Sequence, residues 1–216
     1  GSASVGLTGS FTLGGGTLSL DVDAAGSDLL AVTGDVNLSS GTLAFAPAGG
    51  SYASGIYTVL TYTGTLTGLG SVSTSGLVSS SSTSRLSFSL SDAVAGQVNL
   101  SVEGSSASMR WTGSVDTAWD SGLTGTANWT ALSTVASGAN DRFYDLDSAT
   151  FDDTASSRTV TVGGALNVGA ITFSNATGGY TLSGAGSLGG LASMSKSGAA
   201  AVDLDVAYTG TGGISV

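Results

Sequence analysis

Gly9–Leu18 reads GSFTLGGGTL, and Gly34–Leu43, 25 residues further on, reads GDVNLSSGTL. Gly, Leu, Gly, Thr and Leu coincide without a gap, and Gly164–Phe173 (GALNVGAITF) is a looser third copy. Self-similarity at a period of this length marks stacked units. One copy cannot cover its own apolar side, so burial comes from its neighbours.

Outward from these copies, the chain shows short bursts of period-2 alternation, each closed by Gly, Ser, Asn or Asp. Examples are Thr17–Val22 (TLSLDV), Ile56–Thr63 (IYTVLTYT), Arg85–Leu90 (RLSFSL), Gln97–Val102 (QVNLSV), Thr159–Val162 (TVTV), Ala170–Phe173 (AITF) and Ala201–Val206 (AVDLDV). Alternation with that period places one face inward and one outward, which is the strand pattern. No long window keeps a helical period with good helix formers, so the expectation is an all-β chain. A β-sandwich and a parallel β-solenoid both accommodate such strands. Sandwich hairpins favour Asn-Gly or Asp-Gly turns, and neither dipeptide occurs. The repeat, the Gly-rich corners and the single Pro favour the β-solenoid, with 20–25 residues in each coil. The predicted organisation is solenoid coils over 1–104, a Trp-rich excursion over 105–147, and further coils over 148–216, forming one continuous domain.

Composition narrows the chemistry. The 216 residues contain no His and no Cys. That excludes an imidazole base, a Ser-His-Asp triad, a disulfide, a thiolate nucleophile and a Cys or His zinc site. Gly, Ser and Thr supply nearly half the chain. Charged residues are only 9%, yet 15 acids against 5 bases leave a net charge of -10. Without a basic stripe there is nothing to neutralise nucleic-acid phosphates or an anionic bilayer surface. No apolar run approaches a spanning helix, so no membrane insertion is expected.

Met109–Thr130 reads MRWTGSVDTAWDSGLTGTANWT. It is followed by DSATFDDT from Asp147, VGAITF from Val168, YTLSG from Tyr180, MSKSG from Met194 and YTGTGG from Tyr208. The order of these motifs, over nearly the whole chain, resembles the autotransporter-associated β-strand repeat proteins of bacterial surfaces. The first half is similar to their passenger segments. The resemblance implies a right-handed parallel β-helix, secretion, and surface display or adhesion.

Several residues invite a chemical reading. Asp141, Asp145 and Asp147, with Asp152 and Asp153 close behind, offer hard oxygens of the kind Ca2+ takes. The plainer reading is a solvated loop in which Asp152 and Asp153 cap a turn through backbone bonds; this one is preferred, and no cofactor is otherwise expected. Asp145 with Asp147, or Asp203 with Asp205, share a strand face at a glycosidase-like spacing, but any strand with outward polar residues does the same. Trp111, Trp119 and Trp129 suit a sugar-stacking platform, but plain coverage of the edge of a Gly-rich solenoid is the preferred reading. Asn37, Asn99, Asn128 and Asn175 match the Asn-x-Ser/Thr pattern, and stacked side-chain amides are the expected role for Asn37, Asn99 and Asn167. Lys196, the single lysine, is expected to be a solvated strand residue. At the two extremities, Val5, Leu7, Ile214 and Val216 are expected to form open assembly ends.

The function expected from the sequence is a non-enzymatic structural or adhesive repeat module, outside the cell or on the surface of a bacterium. It would stack end to end on itself or on neighbouring repeats, with surface glycans or a host surface as further partners. The alternative is a carbohydrate-binding module using the Trp-rich segment.

Overall fold

The computed structural model describes residues 2–23, 25–47, 52–77, 83–135 and 137–216. The chain is all-β, as expected, with one short 3-10 turn at Leu69–Ser71. It divides into two compact units. One comprises Gly1–Ser79 with Leu86–Glu103, and the other Ser80–Arg85 with Gly104–Val216.

In the first unit, the 25-residue repeat is a physical ladder. Strand Phe11–Asp23 pairs in parallel with Val36–Pro47, setting Phe11 against Val36, Thr17 against Thr42 and Leu18 against Leu43. Leu66–Thr67 and Ser73–Ser75 extend this sheet. A second sheet lines up Ser4–Leu7, Leu29–Val32 and Gly55–Tyr62, also in parallel, with Val5, Leu30 and Leu60 in one column. Alternation fixes the faces: Leu30, Val32, Leu38, Leu43 and Leu60 are buried. Antiparallel pairing also occurs: Gly26–Ser27 runs antiparallel to the end of Phe11–Asp23. Gln97–Glu103 runs antiparallel to both Gly55–Tyr62 and Ser87–Ser91.

In the second unit, parallel pairing recurs about every 22 residues. Ser148–Phe151, Ala165–Phe173, Tyr180–Lys196 and Ile214–Ser215 form one series, with Ala149, Ile171, Met194 and Ile214 in register. Thr159–Val162, Tyr180–Lys196 and Val202–Tyr208 form another, aligning Val160, Leu182 and Leu204. Met109 heads the first column opposite Ala149. The 39 residues between them contain most of the Trp-rich excursion, which adds an antiparallel strand, Trp129–Ala131, and a short parallel one, Ala118–Trp119. Close stacking dictates glycine at Gly184. Its φ is 129°, and a Cβ there would run into the Val162 carbonyl of the preceding turn of chain. Only glycine combines that conformation with that approach.

Candidate functional site

The segment 104–153 brings together the aromatic rings and most of the acids singled out in the sequence, so it is the place to look for chemistry. The three Trp side chains do not form a platform. All are buried in the core of the second unit, and they close around Phe143 and Phe151. Trp129 sits 5.2 Å from both Trp111 and Trp119 between ring centroids, and Phe143 lies 5.3 Å from Trp119. Phe151 stacks in turn on Phe173 at 4.9 Å and 19°. The Trp111 indole donates to the Ser157 carbonyl at 2.7 Å. A sugar ring needs an open aromatic face, and these faces are spent on one another. The sugar-stacking alternative for Trp111, Trp119 and Trp129 is therefore corrected: the rings are buried, in line with the preferred coverage reading, but they pack in the core against one another.

Asp147 is the most enclosed acid. Its two oxygens receive the Arg85 Nε at 3.0 and 2.9 Å, and they also accept the backbone N–H groups of Ala107 (2.7 Å) and Tyr144 (3.0 Å). Both side chains of the ion pair are fully buried. Burial pushes the Asp147 carboxyl up to about 6, while the Ala107 N–H and the Arg85 charge pull the other way. The remaining Arg85 donors reach the carbonyls of Ser137, Ala139 (2.9 Å) and Arg142 (3.0 Å), and the guanidinium lies 4.4 Å from the Tyr144 ring centroid. A single cation thus satisfies three loop carbonyls and one buried acid, which is what a buried charge requires.

The other two proposed metal ligands turn elsewhere. Asp141 pairs with Arg142 at 2.9 Å. Asp145 is buried, accepts the Asn167 N–H at 3.3 Å, and has its pKa raised by that burial. Between Asp145 and Asp147, Leu146 holds φ at 70°, the one non-glycine with positive φ among the described residues. No three acids are gathered into a metal-binding group among the described residues; the preferred solvated-loop reading fits Asp141, whereas Asp145 and Asp147 are buried in a hydrogen-bond network.

Elsewhere the acids clasp backbone. Asp152 accepts from Thr154 N–H at 2.9 Å, and Asp153 accepts from Ala176 N–H (2.8 Å) and Thr177 N–H (3.0 Å). Asp28 binds Ala3 N–H at 2.7 Å, and Asp35 binds Thr65 N–H at 2.7 Å. The Asp153, Asp145, Asp28 and Asp35 bonds span 22 to 30 residues, the distance from one ladder strand to the next. These carboxylates tie together segments that are distant in sequence. The backbone N–H groups of Asp21 and Ala3 hold Asp28 below the usual carboxylate range.

Buried amides do related work. Asn128 accepts from Val115 and Asp116 N–H and donates to Asp116 Oδ1 and the Ala118 carbonyl. Asn175 donates to Gly178 and Ala201 carbonyls. Asn99, Asn128 and Asn175 are all buried, which closes them to glycan attachment in the folded state. Lys196 donates to the Ser197 and Gly198 carbonyls beside it. Asp203 and Asp205 point outward on Val202–Tyr208, an exposed strand. The four residues expected at the ends, Val5, Leu7, Ile214 and Val216, are exposed apolar side chains.

Arg85 is the residue that the sequence reading passed over. In the sequence it marks only the start of an alternating run, and its one signal is a lone cation within a Ser-rich stretch of low charge. Among the described residues, no helix is long and apolar enough to cross a membrane. No family model, no curated protein and no solved structure matches this chain.

Proposed function

We propose that this chain is a non-enzymatic structural module of a bacterial surface or extracellular assembly, a right-handed parallel β-solenoid akin to autotransporter-associated repeat passengers. The observation that carries the reading is the column Met109, Ala149, Ile171, Met194, Ile214, which repeats one apolar position through successive parallel strands. Such a stack derives its strength from backbone ladders and from a water-free interior. Acids and amides that elsewhere serve as ligands or catalysts are here consumed in holding corners. The outward Ser, Thr and Gly leave a hydrated face of low charge density, with a net negative charge from its sparse acids, suited to standing in the extracellular medium. The carbohydrate-binding alternative would need at least one exposed Trp ring, and the three are enclosed.

Diffraction from oriented native material tests the reading. Stacked coils give an axial reflection near 4.8 Å, the spacing between hydrogen-bonded strands. Its absence would overturn the stacked-coil scaffold. Antibody labelling of intact, unpermeabilised cells tests the setting, and labelling only after lysis would remove the surface assignment.

A further inference from the structure

Thr83–Arg85 belongs to the second unit, although the residues that follow it, Leu86–Glu103, belong to the first. It is held there as a bound peptide is held. Ser84 forms a parallel bridge with Asp145, the Thr83 carbonyl accepts the Asp145 N–H at 2.7 Å, and the Arg85 carbonyl accepts the Ser137 hydroxyl at 2.8 Å. Main-chain bonds of this kind give a peptide site its grip, and a side-chain pocket gives it selectivity.

The pocket is shaped for one side chain. All three guanidinium nitrogens of Arg85 are engaged. Its Nε meets both Asp147 oxygens, Nη1 donates to the Ser137 carbonyl, and Nη2 donates to the Ala139 and Arg142 carbonyls, with the Met109 sulfur 3.6 Å away. Gly138 leaves the room: a Cβ there would stand 2.8 Å from Nη1 and 3.0 Å from the Tyr144 ring. That ring is fixed by the Ala139 N–H, which donates to its hydroxyl at 3.2 Å. The floor of the pocket is anchored without Arg85. Leu146 N–H donates to the Asn167 carbonyl at 2.7 Å, Gly169 N–H to the Asp147 carbonyl at 3.0 Å, and Ser148 N–H to the Ala107 carbonyl at 2.9 Å. A lysine ammonium carries its donors on one point and cannot serve acceptors spread around a planar fork.

We infer that the second unit carries a recognition site for an arginine-bearing peptide segment, and that the chain fills this site with its own Thr83–Arg85. The chemistry is the same whether the segment comes from this chain or from a separate one. Covalent linkage favours the chain's own segment by raising its effective concentration. With that segment withdrawn, the Asp147 carboxylate and three loop carbonyls lose their donors while still enclosed, so an arginine that returns to them is held strongly. The inference is independent of the scaffold reading.

The test uses the full chain carrying Arg85→Ala, which empties the pocket. The probe is a peptide of sequence Thr-Ser-Arg-Leu, matching Thr83–Leu86, with both termini blocked. Denaturant unfolding is followed by Trp fluorescence. The unfolding midpoint of the variant is expected to rise steadily with peptide concentration, as it does for any ligand that binds only the folded state. A Thr-Ser-Lys-Leu peptide is expected to give no shift. Neither peptide is expected to shift the unaltered chain, whose pocket is filled, or a chain carrying both Arg85→Ala and Asp147→Ala. If Arg85→Ala does not fold unaided, the same comparison is read as peptide-dependent recovery of the native Trp emission. No shift and no recovery with the arginine peptide would overturn the site. An equal response to the lysine peptide, or an equal response of the unaltered chain or of the double variant, would overturn it as well. The scaffold reading fails separately, through loss of its axial reflection.

Discussion

Arg85 and Asp147 stand 62 residues apart in sequence, yet the Arg85 Nε lies within 3.0 Å of both carboxylate oxygens, out of reach of solvent. The pair fastens the loop 137–147 to the segment that carries Arg85, because the same guanidinium also binds the carbonyls of Ser137, Ala139 and Arg142.

Removing one partner of such a pair leaves an uncompensated buried charge. Arg85→Met is therefore expected to destabilise the second unit by about 3–5 kcal/mol. Arg85→Met combined with Asp147→Asn removes both charges and is expected to recover part of that loss. Denaturant unfolding followed by Trp fluorescence measures this directly, since all three Trp lie in that unit. A double variant less stable than Arg85→Met alone would show that the pair is not what holds the loop.

The Trp cluster makes its own prediction. Trp119 is fully buried between Trp129, Phe143 and Phe151. Trp119→Ala should cost about 3–5 kcal/mol, through lost burial and the cavity left behind. In the native protein the three indoles are expected to resist oxidation by N-bromosuccinimide, and to become reactive on unfolding. Rapid native oxidation of any of them would return an exposed aromatic face to consideration.

The repeat was the most legible feature because stacking copies its own sequence. Thr17 opposite Thr42 and Leu18 opposite Leu43 could be written down from the alignment of Gly9–Leu18 with Gly34–Leu43. The breaks between strands were legible in kind, through Gly, Asp and Asn. Strand direction was not. Alternation in Ser87–Ser91 and Gln97–Glu103 is the same whichever way a neighbour runs, and their antiparallel pairing depends on the connection between them. The roles of Trp111, Trp119, Trp129, Asp145 and Asp147 were hidden for another reason. Burial at these positions is set by partners distant in sequence, such as Arg85 and Phe173, and local spacing carries no trace of them.

Asp153 gives the pH dependence a defined sign. Its carboxylate accepts Ala176 N–H, Thr177 N–H and the Thr177 hydroxyl, and these bonds pull its pKa from 3.8 down to about 2. A depressed carboxylate pKa means that its stabilising contribution is present above the unfolded value and is lost as pH falls through the folded one. The stability difference between the native chain and Asp153→Asn is thus expected to be full above pH 4 and to shrink as pH drops towards 2. A carboxyl 13C titration of Asp153 with its midpoint at or above 3.8 would contradict the clasp.

Glycine corners can be tested in a matched pair. Gly184 has a positive φ of 129° and would drive a Cβ into the Val162 carbonyl; Gly163 has open space at that position and no such φ. Gly184→Ala must therefore either strain its own backbone or push the Thr159–Val162 strand away from Tyr180–Lys196, breaking ladder bonds at the centre of the stack. A loss of roughly 1–3 kcal/mol is expected from the strained conformation alone. Gly163→Ala reduces only the freedom of the unfolded chain, so it should be neutral or stabilising by up to about 1 kcal/mol. Chemical denaturation of the two variants side by side separates close stacking from general glycine flexibility. Equal losses at both positions would mean that Gly184 is not held against Val162 by the stack.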